Sequence, residues 1–367
     1  MTATVGQGAL NRALLARQLL LERAVMPVGD VVEHLVGHQA QSPPDPYVGL
    51  WSRLDGFDPQ RLAGMLEDRL VVRAALMRAT IHLVTARDAL TLRPLLAPVL
   101  ERTLSTGSPF GRRLRDVDLD EVIAFGRAML DDGPHTRAEL VAGFTERWPD
   151  ADTDAMGYAV QYLVPLVQVP PRGVWGKSGR ATWAPLEAWL EAPLDGRPPI
   201  DDLVRRYLGA FGPATVMDMQ SWSGLTRLKE VFERLRPQLR VDRNEAGREL
   251  FDLPHAPRPD ADTPAPPRFL PEYDNVLLGH ADRTRIVSDD DRRRLMAEAG
   301  MRSVRTFLLD GRGAGTWTIE RSGDGAHMTI APWARVPRKD RTDLTDEARA
   351  LVAWWFPEAA HIDVRFG

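Results

Sequence analysis

Residues 58–85, DPQRLAGMLEDRLVVRAALMRATIHLVT, combine one helix signal with two strand signals. Residues 58–69 predict a helix. Residues 70–77 and 79–85 alternate or run β-branched and apolar, as paired strands do. Two further helices are predicted upstream, at residues 10–23 and 30–38. Helix, helix, helix, hairpin is the order of a winged helix, a helix-turn-helix variant whose third helix can enter the major groove of DNA.

The same order recurs twice further along the chain. Thr136 and Glu139 have the spacing of a capping box, which predicts a helix start, and Gly133-Pro134 predicts the end of the helix before it. The predicted helices lie at 118–132, 136–148 and 152–164, then at 201–212, 214–224 and 225–236, and the hairpins lie within 166–185 and 239–253. Winged helices also serve as protein-interaction modules, so the repeat favours DNA binding without proving it.

The remaining third of the chain has a different pattern. Residues 254–268 are proline-rich without periodicity and predict a linker or surface loop. Alternating strands separated by turns such as Asp310-Gly311 follow, with one helix near residues 344–356. We therefore predict an α+β fold with three tandem winged-helix domains and a C-terminal β-rich domain, with boundaries at 1–117, 118–200, 201–258 and 259–367.

The composition excludes several classes of protein and of catalytic chemistry. The chain of 367 residues has no cysteine, which excludes disulfides, thiolate nucleophiles and zinc fingers. The N-terminus reads as an amphipathic helix and not a signal peptide, and no apolar run has the length of a membrane span, so we expect a cytoplasmic, nucleoid-associated protein. The net charge is −4, but residues 1–117 carry 14 Lys and Arg against 11 Asp and Glu. Arginine supplies 44 of the 47 basic residues, which suits phosphate binding and would also follow from GC-rich codon usage.

Common catalytic and cofactor motifs do not stand out. His34 and His38 form the one histidine pair at i, i+4 spacing, with no carboxylate at motif spacing, so no metal is expected. Glycines at 311–315 lack the lysine of a phosphate-binding loop and predict a tight turn. A G-x-S-x-G motif is absent, which makes a serine hydrolase a poor fit, and no cofactor is implied.

The most informative polar residues are two glutamines in GHQAQSPPDPYVGLWSRLDGF, residues 37–57. Ser42 precedes a proline, and a residue in that position rarely adopts α-helical backbone angles. We therefore expect the predicted helix at residues 30–38 to end near His38. Gln39 and Gln41 would then lie on an extended segment and project to one side. Paired amides at one point can hold a water, a sugar or a base edge. The simpler interpretation is that they cap the helix end or lie on the surface.

Four stretches together resemble a known family. They are QAQSPPDPYVGLWSRLDGF (39–57), RATIHLVTARD (78–88), FLPEYDNVLLGHADR (269–283) and the GTW at 315–317. In this order they resemble the bacterial winged-helix superfamily of DNA glycosylases that contains AlkZ and YcaQ. The Q-x-Q pattern is similar to the AlkZ-like branch, which is associated with self-resistance in antibiotic producers, whereas the YcaQ-like branch has an aspartate at the second position.

The resemblance implies a C-shaped arrangement of winged helices around duplex DNA and a monofunctional glycosylase. Its substrates would be alkylated purines, bulky natural-product adducts and interstrand crosslinks. Gln39 and Gln41 would be catalytic, because their carbonyl oxygens could orient the water that attacks the sugar. Predicted DNA contacts are Arg78, Thr80, His82 and His38. We expect the protein to act as a monomer.

Several residues keep a structural alternative. His82 could be a satisfied half-buried histidine, and Arg78 could share a strand face with it. Tyr47 and Trp51 are four residues apart on a predicted helix, so packing in the core is favoured over lining a pocket for the lesion. For Asp45, a role as helix N-cap is favoured over a role as catalytic base.

Two other function classes compete with a glycosylase. One is a non-catalytic winged-helix regulator, which would usually bind a palindrome as a dimer. The other is an interaction or drug-sequestering protein. Lyase chemistry is disfavoured, since the three lysines lie far in sequence from the glutamine pair.

Overall fold

A computed structural model describes residues 4–196, 199–299 and 304–367. Helices dominate the first two thirds of the chain, and the strands form three sheets. The predicted α+β class, with winged-helix elements followed by a β-rich C-terminal part, is confirmed. In the described part of the chain, no helix combines the length and the apolar character needed to cross a membrane.

The first segment has helices followed by an antiparallel hairpin, as predicted. Its elements are β1 (Thr4–Val5), α1 (Gln7–Arg17), α2 (Val28–His34), β2 (His38–Gln39), α3 (Asp45–Trp51), α4 (Pro59–Glu67), β3 (Val71–Ala75) and β4 (Ile81–Thr85). Asp58 starts α4 by accepting a hydrogen bond from the backbone N–H of Gln60. Three helices that were not predicted from the sequence follow: α5 (Ala86–Leu95), α6 (Ala97–Arg102) and α7 (Phe110–Arg113).

The second and third segments repeat the predicted order. Their elements are α8 (Leu119–Asp131), β5 (His135–Thr136), α9 (Arg137–Arg147), α10 (Thr153–Leu163), β6 (Leu166–Gln168), β7 (Thr182–Pro185), α11 (Leu186–Leu190), α12 (Ile200–Phe211), α13 (Val216–Ser223), α14 (Lys229–Leu235), β8 (Arg240–Asn244) and β9 (Glu249–Asp252). The capping box is confirmed, because Thr136 and Glu139 each accept from the other's backbone N–H.

The C-terminal part forms a five-stranded sheet with a long helix. Its elements are β10 (Arg268–Phe269), α15 (Asn275–Leu278), α16 (Asp289–Ala299), β11 (Arg305–Leu309), β12 (Arg312–Ser322), β13 (Gly325–Pro332), α17 (Arg338–Trp355) and β14 (Ile362–Phe366). The turn between β11 and β12 is tight, as predicted, with positive φ at Asp310 and Gly311. Helix α17 begins six residues earlier than the predicted helix.

One sheet joins the first two segments. Its six strands follow the order β2-β4-β3-β6-β7-β5, and β3 pairs with β6 through Arg73 opposite Gln168. Strand β1, at the N-terminus, pairs with β8 in the third segment. The segments therefore share hydrogen-bonded sheets, and the division at residues 117, 200 and 258 stays a prediction.

Three apolar cores surround this arrangement. One joins β3 and β4 with α12–α14, a second joins α2–α4 with the C-terminal sheet and α17, and a third fills α8–α10. Strand β2 lies at the end of the six-stranded sheet, so one of its two edges pairs with no strand of the described residues. The glutamine segment thus lies at a sheet edge close to the first two cores, where fixed backbone can hold polar side chains.

Candidate functional site

Strand β2 starts at a sharp turn after α2. The helix ends at His34, four residues before the predicted end, because Val36 and Gly37 adopt positive φ angles of 56° and 89°. A Cβ atom at residue 37 would lie 2.5 Å from a methyl carbon of Val84, so glycine is required at this position. The turn brings Gln39 opposite His82 on β4 in an antiparallel pair.

The two glutamine side chains bond near the start of β4, Gln39 to the connection between β3 and β4 and Gln41 to the first residue of β4. Gln39 is buried, and its Oε1 accepts a hydrogen bond of 2.6 Å from Arg78 Nη2. Gln41 is exposed, and its Oε1 accepts one of 3.0 Å from the backbone N–H of Ile81. Both partners are donors only, which fixes the orientation of each amide. Among the described residues, neither amide NH₂ group has a hydrogen-bond partner.

The connection that holds these amides is strained. Arg78 and Ala79 have positive φ angles of 54° and 58°, so Arg78 lies in a turn and not on β4. The prediction that Arg78 shares a strand face with His82 is therefore wrong. The hydroxyl of Thr80 donates to the carbonyl oxygen of Met77 at 3.0 Å. The DNA contacts expected of Arg78 and Thr80 stay predictions, and in this conformation both side chains bond within the protein.

The two histidines of the site are buried and uncharged. Burial, together with Arg53 near His38 and Arg78 near His82, lowers the pKa of each imidazole to about 3. His82 Nδ1 lies 2.9 Å from the carbonyl oxygen of Thr80 and therefore carries the proton. Their predicted roles in DNA binding are untested, and a neutral imidazole offers DNA no charge.

A buried polar network lies beneath the glutamines. Arg73 donates to the carbonyl oxygen of Ala40 at 2.8 Å, and Asn275 donates to that of Gly37 at 2.9 Å. Arg53 forms an ion pair with Asp274 at 2.8 Å, and both side chains are fully buried. No role was predicted for these residues, although Asp274 and Asn275 belong to the stretch FLPEYDNVLLGHADR.

Asp45 differs from its predicted role. It is the first residue of α3, and its carboxylate caps no backbone N–H, so the N-cap prediction is wrong. Neither carboxylate oxygen makes a hydrogen bond of normal geometry with a described residue. The pKa of Asp45 rises to about 8, because burial disfavours the carboxylate and Glu272 adds like charge, against an opposing effect of Arg305. Tyr47 is buried and donates to the carbonyl oxygen of Gly173 at 2.8 Å, which confirms core packing for it.

The site is therefore an arrangement of amides, buried arginines and neutral histidines. In the ranges 4–196, 199–299 and 304–367, no three His, Asp or Glu side chains are close enough to share a metal ion. Two amide groups with fixed orientation can bind a water or an oxygen of a ligand, and they cannot act as strong bases.

Comparisons with known proteins agree with each other. A family model described as DNA glycosylase AlkZ-like matches residues 32–354. The chain is 26% identical over 326 residues to a protein of Streptomyces sahachiroi named interstrand DNA cross-link repair glycosylase, covering 83% of this chain and 85% of that protein. The solved structure of Streptomyces sahachiroi DNA glycosylase AlkZ superimposes with a TM-score of 0.79 at 22% identity, covering 99% of this chain and 100% of that one.

Proposed function

The chain belongs to the AlkZ-like family of DNA glycosylases, and from this premise we propose that it hydrolyses the N-glycosidic bond of purines alkylated at N7 or N3 in double-stranded DNA. Bulky adducts and interstrand crosslinks are included among the substrates, since a relative is named for cross-link repair. The proposed enzyme is a monomer and leaves an abasic site without cutting the strand.

The chemistry suits a site without strong acids or bases. A purine alkylated at N7 or N3 is cationic and leaves without protonation. The bond from C1′ to the base nitrogen breaks, its electron pair neutralises the base, and the sugar becomes oxocarbenium-like. Water then forms the new bond to C1′ and loses one proton to solvent. The protein has to place this water and hold the sugar, which is mainly a matter of position.

Gln39 and Gln41 are the residues proposed for that task. Each amide oxygen already accepts one hydrogen bond, from Arg78 or from the backbone of Ile81. An amide oxygen has a second lone pair, and each amide nitrogen has two N–H donors. The pair therefore offers both acceptors and donors at a sheet edge, where a water or a sugar oxygen can be bound from two sides.

The observation that carries the proposal is the fixed orientation of two neighbouring amides, the buried Gln39 and the exposed Gln41, within the region that the family model matches. Lyase chemistry lacks comparable support, since a Schiff base needs an amine and neither glutamine side chain bonds to a lysine among the described residues.

The test is release of free base from a duplex with one 7-methylguanine, measured in single turnovers. We expect the wild-type protein to release the base, and Gln39→Ala or Gln41→Ala to slow release by about 100-fold or more. Binding to an unmodified duplex should change little in either variant. Gln238→Ala, in the exposed turn after α14, is the matched control and should release base at the wild-type rate. Binding without base release in the wild type would favour a non-catalytic DNA-binding protein.

A further inference from the structure

Arg78 is a half-buried cation without a carboxylate partner among the described residues. Its guanidinium donates through Nη2 to Gln39 Oε1 at 2.6 Å and through Nη1 to the carbonyl oxygen of Trp222. Arg17 and Arg53, which are fully buried, pair with aspartates, whereas Arg78 donates to neutral oxygens. A cation that is largely removed from water needs such bonds, so these two acceptors determine where the guanidinium lies.

The backbone around Arg78 is arranged to allow these contacts. Arg78 and Ala79 both occupy the left-handed region, which is costly for a residue other than glycine. Trp222 lies in the last turn of α13, where the helix dipole favours a cation. Gly224 ends that helix with φ 82°, and a Cβ there would lie 3.4 Å from the Arg78 backbone and 2.7 Å from Val99.

Arg78 decides which edge of the Gln39 amide is free. A guanidinium only donates, so it must bond the oxygen of Gln39 and leave the NH₂ group free to donate to another group. Burial, reinforced by nearby Arg283, lowers the pKa of Arg78 to about 10, and the group stays charged at neutral pH. The positive charge also polarises the amide and strengthens its N–H donors.

We infer that Arg78 is a positioning residue that makes Gln39 act through its N–H donors, on the attacking water or on an oxygen of the lesion nucleotide. This inference rests on the proposed glycosylase function. In this role Gln39 donates hydrogen bonds through its NH₂ group, whereas the expectation from the sequence is that its carbonyl oxygen accepts one from the water. The third segment also contributes to the position of Arg78, because the carbonyl oxygen of Trp222 at the end of α13 accepts a hydrogen bond from Nη1 of the guanidinium.

Replacement of the amide tests the direction of the hydrogen bond. Gln39→Glu keeps the shape and the bond to Arg78, and it removes the N–H donors. With the 7-methylguanine duplex in single turnovers, we expect Gln39→Glu to be as slow as Gln39→Ala, about 100-fold below wild type. Release by Gln39→Glu within about threefold of the wild-type rate would overturn the inference. The proposed function itself fails only if the wild-type protein releases no base.

A double-mutant cycle tests the role of Arg78. We expect Arg78→Met to slow base release about tenfold in the wild-type background and not at all in the Gln39→Ala background. An equal loss in both backgrounds would show a merely structural role and overturn the inference. Arg93→Met is the control, since Arg93 is buried and also donates to backbone carbonyl oxygens, those of Tyr162 and Val164. It should leave the rate of base release close to wild type.

Discussion

The glutamine segment and the three-helix unit α8–α10 use charged residues in opposite ways. Beneath the glutamines, the ion pair of Arg53 and Asp274 is fully buried, and Arg73 donates to buried oxygens. In the helical unit the arginines lie on the surface, as in the pair of Arg147 with Glu121, where about half of each side chain is exposed. Buried charges fix geometry at a high desolvation cost, while surface pairs contribute little. The proposed chemistry depends on the first region.

The largest effect on stability is expected from Asp274→Ala. It would leave Arg53 charged and buried without its partner, and it would remove the hydrogen bond that Asp274 accepts from the N–H of Val276. We expect the free energy of unfolding, measured by urea titration at pH 7, to fall by about 3–5 kcal/mol. Base release should also slow, since the ion pair supports the glutamine segment. A loss of unfolding free energy below about 1 kcal/mol would show that the buried ion pair matters no more for stability than the surface pairs of the helical unit.

A pH-dependent effect is expected from Asp45→Asn. The pKa of Asp45 is raised to about 8 in the folded protein from an ordinary value of 3.8. Between these values the unfolded chain has lost a proton that the folded protein keeps, so the contribution of Asp45 to stability falls as pH rises from 4 to 8. Asparagine does not titrate.

We therefore expect Asp45→Asn to gain stability relative to wild type between pH 5 and pH 8, on the order of 2–4 kcal/mol. Urea titrations of both proteins at the two pH values measure this difference. Parallel pH profiles for the two proteins would show that Asp45 is ionised in the fold.

A moderate effect is expected from Thr136→Ala in the helical unit. The substitution removes the capping box with Glu139 at the start of α9. We expect a loss of about 1 kcal/mol in the free energy of unfolding and an unchanged rate of base release. A slower release would mean that the helical unit contributes to the site, contrary to the contrast drawn between the regions.

The smallest effect is expected from Glu121→Gln. It breaks the pair with Arg147 and leaves the contacts of that guanidinium with Phe125 and Trp148 in place. The free energy of unfolding should change by less than about 0.5 kcal/mol, and by less again in high salt. A loss as large as that of Asp274→Ala would show that exposure does not explain the difference between the regions.

Local signals in the sequence predicted much of the fold. The capping box of Thr136, the hairpins of the three segments and the turn at Asp310-Gly311 each depend on neighbouring residues, and the structure contains all of them. The extended position of Gln39 was also predicted, whereas Gln41 lies in a bend just after the strand.

Long-range partners could not be predicted in the same way. Asp274 lies 221 residues from Arg53, and Trp222 lies 144 residues from Arg78. Hydrophobic periodicity indicates which face of a helix or strand is buried. It does not indicate which distant residues contact that face. For the same reason, Asp45 looked like a helix cap, and only the packing around it shows a buried acid.

The most direct test of the central claim is single-turnover release of 7-methylguanine from duplex DNA by the wild-type protein and by the double variant Gln39→Ala/Gln41→Ala. We predict rapid release by the wild type and a loss of about 1000-fold or more in the double variant, with DNA binding largely intact. Release by the double variant at the wild-type rate would contradict the assignment of catalysis to the glutamine pair.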